Sequence, residues 1–155
     1  MKIKVYTDGS CRGNGGINAR GGWGFVIFDE EGNFLKEGSG ASFNTTNNKM
    51  EMTAVIEAIN WIEENLEKDT NFYEIYTDSA YIHNCMTQRW YINWRNNNWK
   101  NSKKEPVKNK ELWEQIIPYF IKTNFTFQKV KGHAGISENE YVDKLATTAA
   151  DNLLK

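Results

Sequence analysis

The chain has 155 residues, of which 39% are hydrophobic and 14% aromatic. This length and composition predict a single folded domain spanning residues 1–155 and exclude a disordered protein. No apolar run is long enough to cross a membrane, and the amino terminus begins directly as a strand, so we expect a cytoplasmic protein without a signal peptide. Cys11 and Cys85 form no Cys-x-x-Cys pair, which is typical of reduced thiols.

Positive charge is concentrated in one segment, although the formal net charge of the chain is −1. Residues 89–110 contain seven Lys or Arg and one acid, Glu105, and they also include Trp90, Trp94 and Trp99. A basic segment on an acidic protein predicts that a polyanion binds at one place.

In the first half of the chain, the spacing of the apolar residues changes once, from a strand pattern to a helix pattern. Alternating or continuous apolar runs predict strands at residues 2–8, 23–28 and about 34–41, joined as an antiparallel meander. From residue 48 the apolar residues recur at intervals of three and four, which predicts a long amphipathic helix to about residue 66. Asn47 is the predicted N-cap of this helix.

The second half contains two further strands and three helices, predicted in this order: a strand at 72–76, helices at about 79–88 and 109–120, a strand at 125–130 and a closing helix from Val142 to Leu153. Pro118 should end or kink the second of these helices. The order predicts an α/β fold with a mixed sheet and helices packed on it.

Four acidic residues occupy positions where a solvated carboxylate is unusual. Asp8 and Asp78 each follow a strand that ends in Tyr-Thr, whereas Glu51 and Asp143 lie on or beside the apolar stripe of a helix. Ligands of α/β sheets collect beyond the strand ends, so we expect these acids to converge. Four converging carboxylates repel one another unless a cation neutralises them, and oxygen ligands favour Mg²⁺ or Mn²⁺. Two such ions would support phosphodiester hydrolysis.

Each of these residues also has a simpler explanation. Asp8 before Gly and Asp78 before Ser are typical of turns or caps, and Glu51 near a helix start is favoured by the helix dipole. His133, in the segment Lys-Gly-His-Ala-Gly, is either a structural residue or a proton shuttle. The combination of all four acids favours the metal site.

Several segments in fixed order resemble type 1 ribonuclease H over nearly the whole chain. They are residues 6–10, 45–51, 77–79, 106–109 and 130–135, followed by Glu138-Asn139-Glu140 and Asp143. The resemblance implies a ribonuclease H-like fold with a five-stranded mixed sheet, three antiparallel strands then two parallel ones, and helices on both faces. It also implies a monomeric endonuclease that hydrolyses the RNA strand of RNA–DNA hybrids without sequence specificity, leaving 5′-phosphate and 3′-hydroxyl ends. The implied cofactor is a pair of Mg²⁺ ions, for which Mn²⁺ can substitute.

The resemblance also implies residue roles. Asp8 would bridge both ions, Asp78 would complete the site that activates water, and Glu51 and Asp143 would hold the second ion. The remaining catalytic residues would be His133 and Glu138, in proton transfer or product release. The implied substrate contacts are Cys11, Gly13, Asn14, Asn47 and Asn48 at 2′-hydroxyls, Thr46 and Asn109 around a phosphate, and Trp90 and Trp94 against deoxyribose.

Some of these contacts keep alternatives. Cys11 is equally consistent with an ordinary buried thiol, and Trp90 and Trp94 could simply pack a helix. Either Trp90 or Tyr91 takes the outer aromatic position. Residues 96–98 are all Asn where bacterial members of the family carry more Lys and Arg, which predicts weaker and less salt-sensitive binding.

Two other functions are also consistent with the sequence. Another nuclease of the same fold, such as a transposase, integrase or resolvase, would share the acids but lack the 2′-hydroxyl contacts. A hybrid-binding module with a weak catalytic site would keep the contacts but not the turnover.

Overall fold

The computed structural model describes residues 1–13, 19–67, 70–130 and 137–153. One mixed sheet is built from the strands Lys2–Arg12 (β1), Arg20–Phe28 (β2), Phe34–Phe43 (β3), Phe72–Thr77 (β4) and Phe125–Lys129 (β5). Its order is β3-β2-β1-β4-β5, with β1 antiparallel to β2, β2 antiparallel to β3, and β4 parallel to both β1 and β5. The predicted sheet of three antiparallel strands followed by two parallel ones is confirmed.

The described residues form five helices, whose bounds are Asn47–Asn65 (α1), Ala80–Thr87 (α2), Trp90–Asn96 (α3), Lys110–Phe120 (α4) and Ser137–Asn152 (α5). Helix α3 was not predicted as an element of its own, although the spacing of Trp90 and Trp94 allowed it. Pro118 lies inside α4, two residues before its end, so the helix ends close to where the proline predicted. None of the described helices is long and apolar enough to cross a membrane.

Glycines of β2 show that the helices cover both faces of the sheet. A side chain at Gly21 would meet Thr45 and Met50 beside α1, whereas one at Gly22 would overlap the backbone of α5. Since successive residues of a strand face opposite sides of the sheet, α1 and α5 lie on opposite faces. The prediction of helices on both faces is therefore confirmed.

The hydrophobic core lies between the sheet and α1. The apolar stripe of α1 is buried and packs against strand residues such as Val5 and Ile75, neither of which is exposed to solvent. Burying one such side chain stabilises the fold by about 1.5–3 kcal/mol. Trp113 of α4 is also fully buried and extends this core towards α2 and α3.

Several local predictions were wrong. Strand β2 begins at Arg20 rather than at residue 23, and α5 begins at Ser137 rather than at Val142. Strand β1 continues past Asp8 to Arg12, because its pairing with β2 runs on to the pair Arg12 and Arg20. The N-cap of α1 is Thr46 rather than Asn47, since the Thr46 hydroxyl accepts the Lys49 backbone N–H at 3.1 Å.

Candidate active site

Asp8 and Asp78 meet where the parallel pairing of β1 and β4 ends. The last paired residues of the two strands are Tyr6 and Tyr76, and the Thr7 hydroxyl donates to the Tyr76 carbonyl at 3.0 Å. Beyond this pair, β1 continues only along β2, and β4 ends one residue before Asp78. Strands β2 and β3 lie on one side of β1, and strands β4 and β5 lie on the other side. The space between the ends of β1 and β4 is therefore the topological switch point of the sheet.

A turn after β4 fixes the backbone around Asp78. The Thr77 hydroxyl accepts the Ser79 N–H at 3.1 Å, and the Ser79 hydroxyl accepts the Ile82 N–H at 3.2 Å as the N-cap of α2. These two bonds satisfy backbone donors that would otherwise be unpaired at the strand-to-helix turn.

Gly9 brings Glu51 to the same place. A Cβ atom at Gly9 would overlap the backbone of Met50 and Glu51, so only glycine allows α1 to approach β1 this closely. The Gly9 N–H donates both to Glu51 Oε1 at 3.1 Å and to Asp8 Oδ1 at 2.8 Å. One backbone donor thus orients two of the carboxylates.

The three carboxylates Asp8, Glu51 and Asp78 form one cluster, in which one oxygen of each lies within 4.8 Å of the others. Burial, followed by the charge of Asp78, raises the pKa of Asp8 to about 8. The same two causes raise the pKa of Glu51 well above its usual value. Buried acids this close together disfavour one another's ionised form, so the metal-free site holds protons or attracts a cation.

Two oxygens of the cluster fit a cation. Among the described residues, Glu51 Oε2 and Asp78 Oδ1 are buried without a hydrogen-bond partner. A buried acceptor without a donor is costly, whereas a metal ion would satisfy it. A set of carboxylate oxygens is suited to hard divalent cations such as Mg²⁺.

Asp143 lies at the edge of this cluster. It is half-buried on α5, next to the fully buried Val142, and its charge contributes to the raised pKa of Asp8 after burial and Asp78. The docking of α5 depends on Gly24, whose missing side chain leaves room for Leu145 and for the Val142 carbonyl. Asp143 does not belong to the three residues whose oxygens lie within 4.8 Å of one another.

The predicted proton-transfer residues are placed only in part. His133 lies outside the described residues, as does Asn14, one of the predicted 2′-hydroxyl contacts. Glu138 lies half-buried in the first turn of α5, where its charge, after burial, raises the pKa of Tyr6. Asp8 pairs with Gly24, where a side chain would meet α5, so Asp8 and α5 lie on the same face of the sheet.

Four of the predicted phosphate and 2′-hydroxyl contacts border a groove of about 920 Å³ between the start of α1 and the start of α4. Thr46, Asn47 and Asn48 line it on one side and Asn109 on the other. Cys11 is half-buried on β1, and its Sγ donates to the Thr45 carbonyl at 3.4 Å, beside the same groove. Gly13 has φ +70°, which explains why a glycine stands there.

The tryptophans of the basic segment form a half-buried aromatic row. Ring centroids of Trp90 and Trp94 are 6.1 Å apart, and Trp94 packs on the buried Trp113 at 5.7 Å. Trp90 and Trp94 border a depression of about 370 Å³ together with Lys100. Tyr91 instead faces Phe120 of α4 at 5.8 Å. The structure therefore places Trp90, not Tyr91, beside the depression.

Tyr81 was not predicted as a site residue. It lies half-buried in α2, three residues after Asp78, and its ring packs between Trp90 and Trp113 with centroid distances of 6.1 and 5.1 Å. The one available signal was its position one turn after the Asp-Ser pair, which is too common to single it out.

Comparisons with known proteins agree with this geometry. The sequence matches the RNase H family over residues 1–151. A protein named Ribonuclease H from Clostridium botulinum is 46% identical over 150 residues, covering 97% of this chain and 96% of that protein. The solved structure of LC9-RNase H1, a type 1 RNase H with the type 2 active-site motif, is 32% identical with a TM-score of 0.79, covering 97% of this chain and 72% of that one.

The structure of LC11-RNase H1 in complex with RNA/DNA hybrid is 28% identical with a TM-score of 0.65 and covers 99% of both chains. The family match extends over almost every residue, and the curated relative has nearly the same length. Together with the sheet order and the carboxylate cluster, these two matches show that this chain belongs to the ribonuclease H family.

Proposed function

We propose that the protein is an endonuclease that hydrolyses the RNA strand of RNA–DNA hybrids with two Mg²⁺ ions and without sequence specificity. The observation that carries this proposal is the cluster of Asp8, Glu51 and Asp78, with two buried oxygens that lack a partner among the described residues. Membership in the ribonuclease H family and the hybrid bound to LC11-RNase H1 support the choice of substrate.

The three clustered carboxylates would hold the ions together with Asp143. Bound Mg²⁺ would supply positive charge that stabilises the attacking and leaving oxygens of an in-line displacement. The residues contribute geometry, since the Gly9 N–H fixes one oxygen each of Asp8 and Glu51. Glu51 Oε2, which has no partner in the described part of the chain, is left to a metal. This orientation is set before any ligand binds, as an efficient site requires.

Substrate recognition would use the groove and the aromatic row. RNA is distinguished from DNA by 2′-hydroxyls in a shallow minor groove. The residues that would read them are Cys11 and Gly13, through backbone groups, with Asn14, Asn47 and Asn48. Thr46 and Asn109 would hold a phosphate, and Trp90 and Trp94 would support the DNA strand beside the basic residues. His133 and Glu138 would take part in proton transfer or product release, leaving 5′-phosphate and 3′-hydroxyl ends.

We also propose that the protein acts as a monomer in the cytoplasm. Both of its cysteines, Cys11 and Cys85, are free, as is usual in a reducing compartment. Gel filtration at micromolar concentration would test the first statement, and a stable dimer would contradict it.

The proposal is tested by cleavage of end-labelled RNA–DNA, RNA–RNA and DNA–DNA duplexes of one sequence, with and without Mg²⁺. We expect cleavage of the RNA strand of the hybrid alone, only with Mg²⁺ or Mn²⁺, with 5′-phosphate ends. Glu51→Gln should lower the rate at least about 100-fold, because it replaces a charged metal ligand with a neutral amide of nearly the same shape. Glu64→Gln, an exposed position on the same helix, is the matched control.

Each other function predicts a distinct result in this assay. Equal cleavage of the DNA–DNA duplex would favour a transposase-like or resolvase-like nuclease. Hybrid binding without turnover at any Mg²⁺ or Mn²⁺ concentration would indicate a binding module, and either outcome would refute the proposed activity.

A further inference from the structure

The hydroxyl of Tyr81 connects a buried residue to the groove. Its oxygen accepts the indole N–H of Trp113 at 3.1 Å and the side-chain amide N–H of Asn109 at 3.4 Å. Trp113 is fully buried and Asn109 lines the groove, so a single oxygen joins the core to a predicted phosphate contact.

The Trp113 side of this connection fixes the position of the oxygen. An indole nitrogen is only a donor, and a buried donor without an acceptor destabilises the fold. Since Trp113 is held in the core by its whole ring, the acceptor of its N–H is held as well. The Tyr81 hydroxyl oxygen is therefore held in one position by Trp113.

The Asn109 side shows that this amide serves a purpose other than capping. Asn109 precedes α4, where an asparagine side chain usually accepts a backbone N–H of the first turn. Among the described residues it makes no such bond, and its φ of 63° places it in the left-handed region. Its side-chain nitrogen instead donates to Tyr81.

We propose that the Tyr81 hydroxyl is a positioning group, which orients the Asn109 amide to donate to a backbone phosphate of the bound hybrid. An amide nitrogen carries two hydrogens; one is used by Tyr81, and the second is left for a phosphate oxygen in the groove. Without the hydroxyl, the amide must be ordered when the substrate binds, at a cost in affinity. The inference rests on the proposed function for the identity of the substrate.

Tyr81→Phe is the decisive variant, because it removes one oxygen and keeps the ring between Trp90 and Trp113. We expect the Kd for a labelled RNA–DNA hybrid, measured without divalent ions, to rise about three- to tenfold, the worth of one such hydrogen bond. KM should rise similarly while kcat at saturating hybrid stays unchanged. Tyr119→Phe is the control, since its hydroxyl donates to Glu63 at 2.7 Å away from the groove, and it should leave both values as in the wild type.

A double-mutant cycle with Asn109→Ala separates positioning from a general loss of stability. If Tyr81 acts through Asn109, Tyr81→Phe has no further effect on Kd once Asn109 is alanine. The same fold-change in both backgrounds, or a Tyr81→Phe protein that binds like the wild type, would overturn the inference. Since binding is measured apart from cleavage, a protein that binds the hybrid without cutting it would refute the proposed hydrolysis alone. No affinity of the wild type for the hybrid would overturn both.

Discussion

The carboxylate cluster predicts that Asp8→Asn makes the metal-free protein more stable while it abolishes cleavage. The asparagine oxygen can still accept the Gly9 N–H, which Asp8 Oδ1 accepts at 2.8 Å. The substitution removes the charge that burial and the neighbouring carboxylate of Asp78 disfavour. A residue selected for metal binding should therefore destabilise the fold when no metal is present.

The magnitude follows from the pKa of Asp8, which is raised from 3.8 to about 8. Between these two pH values the folded protein keeps a proton that the unfolded chain has lost, so stability falls as the pH rises through this window. From pH 3.8 to pH 7 the window covers about three pH units, and each unit lowers the free energy of unfolding of the wild type by about 1.36 kcal/mol. The gain in stability from Asp8→Asn at pH 7 therefore has an upper limit of roughly 4 kcal/mol. Water and monovalent cations screen part of this, so we expect a gain of about 1–3 kcal/mol, or roughly 3–10 °C in Tm.

The assay is thermal unfolding of both proteins in a chelator at pH 5 and pH 8. Asp8→Asn should be the more stable protein at pH 8, and its advantage should shrink at pH 5, where wild-type Asp8 is protonated. Asp29→Asn is a control of opposite sign, because backbone hydrogen bonds lower the pKa of Asp29. Two results would refute the reasoning: an Asp8→Asn protein that is less stable than the wild type at pH 8, or a difference in stability between the two proteins that is the same at pH 5 and pH 8.

Three further predictions concern metal, packing and the aromatic row. Mg²⁺ should raise the Tm of the wild type but not that of Asp78→Asn, as scanning calorimetry would show; an equal rise in both would place the ion elsewhere. Gly9→Ala should lower the free energy of unfolding by at least about 1–3 kcal/mol in a urea titration, because the new Cβ overlaps the backbone of α1, and a wild-type midpoint would contradict this contact. Trp90→Ala should weaken hybrid binding, measured by fluorescence anisotropy, with little loss of stability. Tyr91→Ala should lower the Tm in a thermal melt with little effect on hybrid binding. The opposite pair of results would contradict the assignment of Trp90 to the depression.

The order of the elements other than α3 was predictable because each change in apolar period has a local cause. The lengths of the strands were not, since β1 extends to Arg12 only through its pairing with β2. The N-cap was misassigned by one residue because Thr46 and Asn47 both have capping side chains, and backbone geometry decides between them.

The candidate site was predictable as a set of residues but not as a geometry. Asp78 could be placed at the end of a strand, and Glu51 could be placed on an inward face, from spacing alone. That Gly9 orients two carboxylates depends on the approach of α1, which has no local sequence signal. The role of Tyr81 depends on Trp113, which lies 32 residues away in sequence.

The most direct test of the carboxylate site is a crystal of the protein soaked in Mn²⁺, measured at a wavelength where manganese scatters anomalously. We expect an anomalous peak among Asp8, Glu51 and Asp78, about 2.0–2.3 Å from their oxygens, including Glu51 Oε2. Ordered manganese elsewhere on the protein, with these three carboxylates left without an ion, would contradict the account.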